Sequence, residues 1–353
     1  MRTSWWRVGG LGGLVLVSGC GGGPVPPTGV PGPAEPTGGV VRAAGPSAPT
    51  VTALAAADQA AAVTATAQTV AAAAAGRAHA QLNAVQLWSA TAGWAVGVGG
   101  VIRHYQAGQW TVGVPAVPLP TLNALDLSGP DEGWAVGVQG AFVQLHAGVW
   151  TQVPVAVPVD GSGFPPNLTS VVLTGPEDGW AAGGAALLHL HAGHWRLAPA
   201  DAPTGVAALQ FPAATDGWAA GRAVWHATGG GWQAVGDLPP AYLTALAVTE
   251  RGDGWALDRL GRLLPLIGGH PQAPLAGPQG LQALALTDPA AGWAVGTGGV
   301  IWRLTAGGWQ AAASPTTVNL TGIRLVSAHD GWAVGAQGCI LHWTGHAWTG
   351  VAH

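Results

Sequence analysis

The chain has 353 residues, 48 % of them hydrophobic and only 8 % charged, with a formal net charge of −4 at pH 7 and no lysine. Charged residues make up about a quarter of an average globular protein, so the basic footprint of a nucleic-acid-binding protein is missing and no nucleic-acid partner is expected. With only two cysteines, the chain has no disulfide framework.

The first predicted element is a secretion signal over residues 1–19. Two arginines precede an apolar stretch at residues 8–17, which is too short for a comfortable transmembrane helix. Residues 17–20, Val-Ser-Gly-Cys, resemble a bacterial lipoprotein signal. The resemblance implies export and a lipid on Cys20 that anchors the protein to the bacterial cell envelope. A chance Gly-Cys pair in a Gly-rich leader is the alternative.

Residues 20–80 are predicted to be a low-complexity tether. They are rich in Gly and Pro and then in Ala, with almost no large apolar side chains to form a core. Residues 53–75 contain good helix formers and are compatible with a helix, although their threonines, glutamines and Asp58 argue against a membrane span. We expect the tether to hold the next domain clear of the bilayer, with a docking role as the alternative.

Residues 81–353 contain a repeat that is present seven times. Each copy has a Gly-Trp pair with an aliphatic residue twelve positions before the tryptophan. These tryptophans are 37 to 46 residues apart: Trp94, Trp134, Trp180, Trp218, Trp255, Trp293 and Trp332. A second tryptophan follows 14 to 16 positions later in six copies: Trp110, Trp150, Trp195, Trp232, Trp309 and Trp348. The fifth copy has Pro271 instead. A period near forty residues is typical of a propeller blade.

Each copy is predicted to form four short strands, A to D, because its apolar or β-branched runs are brief and bounded by Gly, Pro and Asp. Strand A precedes an acidic turn, strand B is the Gly-Trp segment, and strand D begins at the second tryptophan. The first copy begins with its own strand A and the last ends with its own strand D, so the ring closes without exchange of a terminal strand. We therefore predict an all-β, seven-bladed propeller with four-stranded blades. A β-helix is the alternative.

The repeated tryptophans are predicted to be wedges between the sheets. A buried indole removes roughly 150–250 Å² from water, and these indoles stand in mid-strand between small residues such as Gly133 and Ala135. The functional alternative is a ring of sugar-stacking platforms, which requires exposed indoles.

Histidines and acids form two further patterns. His189, His191 and His194 have the spacing of a metal site, but His189 aligns with histidines, a glutamine and an arginine in other copies, so we predict no metal and no cofactor. Acidic residues gather at the A-to-B turns, where turn chemistry explains them; a rim that binds cations or a partner is the alternative. Cys339 is interpreted as a small buried apolar residue.

The Gly-Trp-Ala-Val-Gly segment with a following Ile-Leu-His and a second tryptophan is clearest at residues 331–348. It resembles the repeats of photosystem II assembly and stability factors and, more loosely, bacterial neuraminidase repeats. Those families share an aspartate box between strands C and D; here residues 228–232 and 305–309 keep the glycine and tryptophan but lack the aspartate. The resemblance to the assembly factors implies a non-catalytic binding or assembly module.

We therefore predict that the protein is not an enzyme but a monomeric, lipid-anchored scaffold outside the cytoplasm, with an envelope protein or a glycan as its partner. A lectin-like propeller is the first alternative, distinguished by solvent-accessible tryptophans. A sialidase-type glycoside hydrolase is the second. It needs an arginine triad and a tyrosine nucleophile, whereas Tyr105 and Tyr242 are the only tyrosines and Arg324 is the only arginine in a strand A.

The B-to-C and D-to-A loops are the predicted location of a binding site, because they share one face of a propeller and loops carry specificity. The fifth copy is the least regular and hence the best candidate for adaptation. The candidate binding residues on these loops are Gln139, Asp160, Phe164, Arg222, Asp258, Arg259 and Gln337.

Overall fold

The computed structural model describes Gly76 and residues 79–351, apart from residues 114, 116, 160, 230 and 236–241. The secretion signal at 1–19, Cys20, the segment at 53–75 and Asp160 lie outside the described residues. Within the described part of the chain, no helix has the length and apolar character needed to cross a membrane.

The described residues form seven sheets of four strands each, and every sheet pairs its strands in chain order. Blades 1 to 3 comprise β1 (Leu82–Ser89), β2 (Ala92–Gly97), β3 (Ile102–Gln106), β4 (Gln109–Gly113), β5 (Leu122–Gly129), β6 (Glu132–Gly137), β7 (Phe142–His146), β8 (Val149–Val153), β9 (Ser170–Leu173), β10 (Gly179–Gly183), β11 (Ala186–His191) and β12 (His194–Leu197). Blades 4 and 5 comprise β13 (Val206–Ala213), β14 (Asp216–Gly221), β15 (Val224–Thr228), β16 (Gly231–Ala234), β17 (Leu243–Val248), β18 (Gly254–Asp258), β19 (Leu263–Ile267) and β20 (His270–Pro271).

Blades 6 and 7 comprise β21 (Leu281–Asp288), β22 (Ala291–Gly296), β23 (Ile301–Thr305), β24 (Gly308–Ala312), β25 (Leu320–Ser327), β26 (Asp330–Gly335), β27 (Ile340–Trp343) and β28 (Trp348–Gly350). Single turns of 3₁₀ helix follow strand B in four blades, at Val98–Gly100, Val138–Gly140, Thr297–Gly299 and Ala336–Gly338. The predicted seven-bladed, four-stranded propeller is confirmed.

Strand B needs its small residues because strand A approaches it closely. In blade 2, a Cβ on Gly133 would lie 2.5 Å from the carbonyl oxygen of Asp126 and 2.9 Å from Leu127 Cδ2. A Cβ on Gly137 would overlap the carbonyl oxygen of Thr121. The glycines on either side of the tryptophan are therefore required by close packing of two strands.

Blade 7 packs directly on blade 1. The Thr321 hydroxyl donates to the carbonyl oxygen of Leu82, and Trp332 of blade 7 shares a buried cluster with Leu82, Val85 and Tyr105 of blade 1. Each sheet is complete with its own four consecutive strands. The ring thus closes by packing, as predicted, without exchange of a terminal strand.

The repeated tryptophans join neighbouring blades edge to face. Strand-B tryptophans meet the strand-D tryptophan of the next blade with ring centroids 5.4–5.7 Å apart and interplanar angles of 73–88°. The pairs are Trp94–Trp150, Trp134–Trp195, Trp180–Trp232, Trp255–Trp309, Trp293–Trp348 and Trp332–Trp110. An edge-to-face arrangement is favourable because the positive edge of one ring meets the negative face of the other. Eight of the thirteen repeated indoles are buried and five are partly buried, which supports the wedge interpretation.

Blade 5 is the exception, because Pro271 replaces its second tryptophan in the two-residue strand β20. Trp218 of blade 4 consequently packs on backbone instead of on an indole. A Cβ on Gly252 would lie 2.5 Å from Trp218 Cη2, and one on Gly269 would overlap the same six-membered ring. Both glycines have positive φ, +77° and +81°.

Candidate functional site

A central channel is lined by strand A of all seven blades and contains a cavity of about 630 Å³. Its wall includes, from each blade, the residue eight positions before the strand-B tryptophan: Gln86, Asp126, Val172, Gln210, Ala247, Ala285 and Arg324. These positions lie in the second half of strand A, so the cavity is nearest the A-to-B turns.

Three of the polar side chains in this ring connect neighbouring blades. Gln210 Nε2 donates to the carbonyl oxygen of Val248 (3.0 Å), and the Val248 amide donates back to Gln210 Oε1 (2.8 Å). Gln86 Nε2 donates to Asp126 Oδ1 (2.7 Å), and the Leu173 amide donates to Asp126 Oδ2 (2.8 Å). Strand A is an edge strand of each sheet, so some of its backbone amide and carbonyl groups have no partner within the sheet. The hydrogen bonds between blades satisfy some of these groups.

Burial raises the pKa of Asp126. The backbone hydrogen bonds from Leu173 and Leu127, the positive charge of Arg324 and the hydrogen bond from Gln86 act in the opposite direction. Desolvation dominates because the carboxyl group lies among the seven packed strands.

Arg324 occupies the equivalent position in blade 7, but it does not make a hydrogen bond of the kind that Gln86, Asp126 and Gln210 make to a neighbouring blade within the described residues. Its side chain is exposed, and within the described residues it has no ion pair. Trp88 of the adjacent blade 1 also lines the cavity and is 51 % exposed. A guanidinium binds carboxylates bidentately, and an exposed indole offers a flat apolar surface. The channel can thus hold a ligand that carries both a negative group and an apolar group.

A groove of about 690 Å³ lies on the outside, between blades 3 and 4. Its aromatic wall consists of Trp180 and Phe211, whose rings stack at 6.2 Å, and Trp232, which meets both edge to face. Asp178 and His189 complete it. A second groove, of about 470 Å³, lies between blades 6 and 7. There, Arg303 stands over Trp293 and Trp343 at 5.3 and 5.6 Å.

A histidine of strand C stacks on the strand-B tryptophan of its own blade in four of the described blades. The stacked pairs are Trp94–His104, Trp180–His189, Trp218–His226 and Trp332–His342, with ring centroids 3.8–4.2 Å apart. Two of these histidines bond the aspartate of the A-to-B turn: His226 with Asp216 at 2.7 Å and His342 with Asp330 at 2.8 Å. The repeated histidine position therefore covers the indole and ties strand C to the turn.

The described residues of the predicted loop set lie apart from these cavities. Gln139 and Gln337 are exposed in the 3₁₀ turns after strand B, with φ of +53° and +58°, and the Gln139 amide donates to Asn167 Oδ1 (3.0 Å). Phe164 is 60 % exposed in the connection between blades 2 and 3, and Arg222 is exposed after β14. Asp160 lies outside the described residues. A binding role for the loop candidates remains a prediction.

The two predicted site residues of blade 5 differ in exposure, because Asp258 is buried and Arg259 is exposed. Asp258 is only 3 % exposed and accepts four hydrogen bonds or ion-pair contacts, from the amides of Leu260 and Arg262 and from the Arg262 guanidinium. It therefore shapes the B-to-C turn. Arg259 is exposed and stands over the Tyr242 ring at 4.8 Å.

Of the predicted loop residues that the structure describes, none lines the channel cavity or the two outer grooves. The sequence interpretation missed Trp88, because it is the one tryptophan of a strand A and stands outside the repeat. The signal for Arg324 was visible, since it is the only arginine of a strand A. The sequence could not show that Arg324 lines a channel, because the channel forms only where the strands A of all seven blades come together.

No protein-family model and no curated protein matches this chain. Solved structures do match. A structure described as YCF48 bound to D1 peptide has a TM-score of 0.59 and 18 % identity, and covers 75 % of this chain and 94 % of its own. YCF48 from Cyanidioschyzon merolae has a TM-score of 0.56 and 16 % identity, covering 76 % and 97 %. The WD40 propeller domain of Doa1 has a TM-score of 0.61 and 12 % identity, covering 77 % and 94 %.

These likenesses show the fold. The predicted similarity to propellers of the photosystem II assembly factor type is confirmed at the level of architecture, at low sequence identity. A WD40 domain superimposes about equally well, so the seven-bladed ring itself does not select one ligand.

Proposed function

We propose that the protein is a non-catalytic scaffold that binds an extended segment of a client protein at the central channel. The observation that carries this proposal is the exposed pair Arg324 and Trp88 beside a cavity of about 630 Å³. The likeness to YCF48 supports it, because that propeller is described as bound to a D1 peptide.

The client segment is expected to carry a carboxylate, either a chain end or an acidic side chain, next to an apolar residue. Arg324 would bind the carboxylate through charge-assisted hydrogen bonds, and Trp88 would pack on the apolar residue. Tryptophan and arginine are the residue types that contribute most to protein interfaces.

Replacing Arg324 with glutamine tests this site. Random dodecapeptides with free carboxyl ends are first selected on the wild-type protein by display, and the enriched peptides are then synthesised with a fluorophore. Loss of a charged hydrogen-bonding partner costs about 1.5–3 kcal/mol, so we expect R324Q to weaken binding roughly 10- to 100-fold in fluorescence anisotropy. Arg196→Gln, at an exposed arginine of β12 outside the channel, is the matched control and should bind normally.

Failure to enrich any peptide, or equal affinities for R324Q and R196Q, would contradict peptide binding at the channel. Amidation of the peptide's chain end separates the two sources of the carboxylate: it abolishes the Arg324 dependence only if the chain end is the recognised group.

A lectin-like function is the second candidate, because Trp88 is accessible and Trp180 and Trp232 are partly exposed beside a groove. Indoles that reach solvent can stack on sugar rings. A glycan array probed with the wild-type protein and with Trp88→Ala distinguishes the two functions, since a lectin would give binding that Trp88→Ala reduces.

We also propose that the scaffold is exported and held on the envelope by a lipid on Cys20, with residues 20–80 as the tether. The lipoprotein-like sequence at residues 17–20 supports this. Cys20→Ser is expected to move the protein from the membrane fraction to the soluble fraction, as measured by immunoblotting after ultracentrifugation. Cys339→Ser, which changes the chain's other cysteine in blade 7, should stay with the membranes. Retention of C20S on membranes would refute the anchor.

A further inference from the structure

Blade 3 brings three potential metal ligands together. Asp178 lies at the A-to-B turn, and His189 and His191 lie two residues apart on β11, so both histidines face the same side of the sheet. One ligand atom from each residue lies within 4.8 Å of the other two. Asp178 Oδ1 is 3.5 Å from His189 Nε2 and 3.3 Å from His191 Nδ1.

The repeated architecture of the blades does not by itself produce this three-residue cluster. Blades 4 and 7 have one histidine on the turn aspartate, at 2.7 and 2.8 Å. Blade 2 has its histidine at the position of His191 instead, and His146 Nδ1 lies 3.1 Å from Glu132 Oε2. Among the described blades, blade 3 alone places both histidines around one carboxylate, and both distances there are longer than in the single pairs.

The ligand His189 is held in place before any ion binds. Its ring stacks on Trp180 with centroids 4.1 Å apart and an interplanar angle of 12°, which directs Nε2 towards Asp178. The stacking thus fixes His189 Nε2 beside the carboxylate, 3.5 Å from Asp178 Oδ1. The neutral imidazole is the form that binds metal ions.

We propose that Asp178, His189 and His191 form a site for a divalent transition-metal ion of the zinc class. Two imidazoles and a carboxylate are a ligand set that zinc accepts, with a fourth position for water or another ligand. Asp178 and His189 also line the groove between blades 3 and 4, so two of the three ligands border the aromatic wall of that groove. The sequence interpretation predicted no metal because it weighed the histidines without the aspartate of the preceding turn.

The test is a calorimetric titration of the full-length, tag-free, chelator-treated chain with zinc chloride at pH 7.5. One site per chain is expected, together with a rise in the melting temperature. His191→Gln and Asp178→Asn each remove a ligand and should weaken zinc binding by about tenfold or more. His342→Gln, at the single-histidine position of blade 7, is the matched control and should leave the zinc affinity unchanged.

Cobalt(II) gives a second measurement, because visible d–d absorption reports a four-coordinate site. The wild-type protein and H342Q should show this absorption, whereas H191Q and D178N should not. No zinc binding, or binding that persists unchanged in both H191Q and D178N, would overturn the proposal. The site is independent of the channel, so H191Q should still bind the peptides selected on the wild-type protein.

Discussion

Replacing Trp134 with alanine is expected to lower the free energy of unfolding by about 3–5 kcal/mol. The Trp134 side chain is only 5 % exposed, and it meets Trp195 of blade 3 edge to face at 5.6 Å and Phe142 of its own blade at 6.3 Å. Alanine would leave a cavity at the interface between two blades. Because no strand is exchanged between the ends of the chain, packing of this kind has a large share in holding the ring together.

Thermal and denaturant unfolding, followed by tryptophan fluorescence and circular dichroism, measure this effect. The matched control is Trp88→Ala, which removes an indole that is 51 % exposed and should change stability by no more than about 0.5 kcal/mol. Equal destabilisation by the two substitutions would contradict the role of the repeated indoles as wedges between blades.

Replacing Gly269 with alanine is expected to cost about 2–5 kcal/mol, although only one methyl group is added. Gly269 has φ of +81°, and a Cβ there would overlap the six-membered ring of Trp218. The left-handed conformation costs an L-residue roughly 1–2 kcal/mol, and overpacking a well-filled interface costs about 1–3 kcal/mol more. The interface between blades 4 and 5 depends on this glycine because blade 5 has no second tryptophan to meet Trp218.

Gly268 provides the matched control at the neighbouring position of the same turn. It also has positive φ, +54°, but a Cβ there would have no atom within 4 Å. Gly268→Ala should therefore show only the conformational cost, about 1–2 kcal/mol. If equilibrium unfolding gave the same loss for both variants, the contact with Trp218 would not contribute to stability.

The blade architecture was predictable because each blade is a local unit. The Gly-Trp pair, the aliphatic residue twelve positions earlier and the second tryptophan all fall within a single copy of the repeat. Strand order within each sheet follows chain order, so the spacing of these residues carries the topology. The absence of a second tryptophan in the fifth copy likewise marked blade 5 as irregular.

The channel site was less predictable because it combines residues from different copies. The interpretation placed a site on the B-to-C and D-to-A loops, where Gln139, Phe164 and Arg222 do lie on the surface. Asp258 looked like a binding residue from its position, yet its oxygens accept from Leu260 and Arg262. A sequence shows that an acid is present near a turn, but not whether the turn's own amides use it.

The sequence by itself determined the number of blades, the four strands of each and the use of indoles between them, since all of these follow from short-range periodicity. Only the tertiary structure decided that Arg324 and Trp88 share a channel and that Asp178 meets two histidines. The physical reason is that ring closure and sheet register set the contacts between distant residues. Residues 88 and 324 are at opposite ends of the propeller sequence and line the same cavity because blade 7 packs on blade 1.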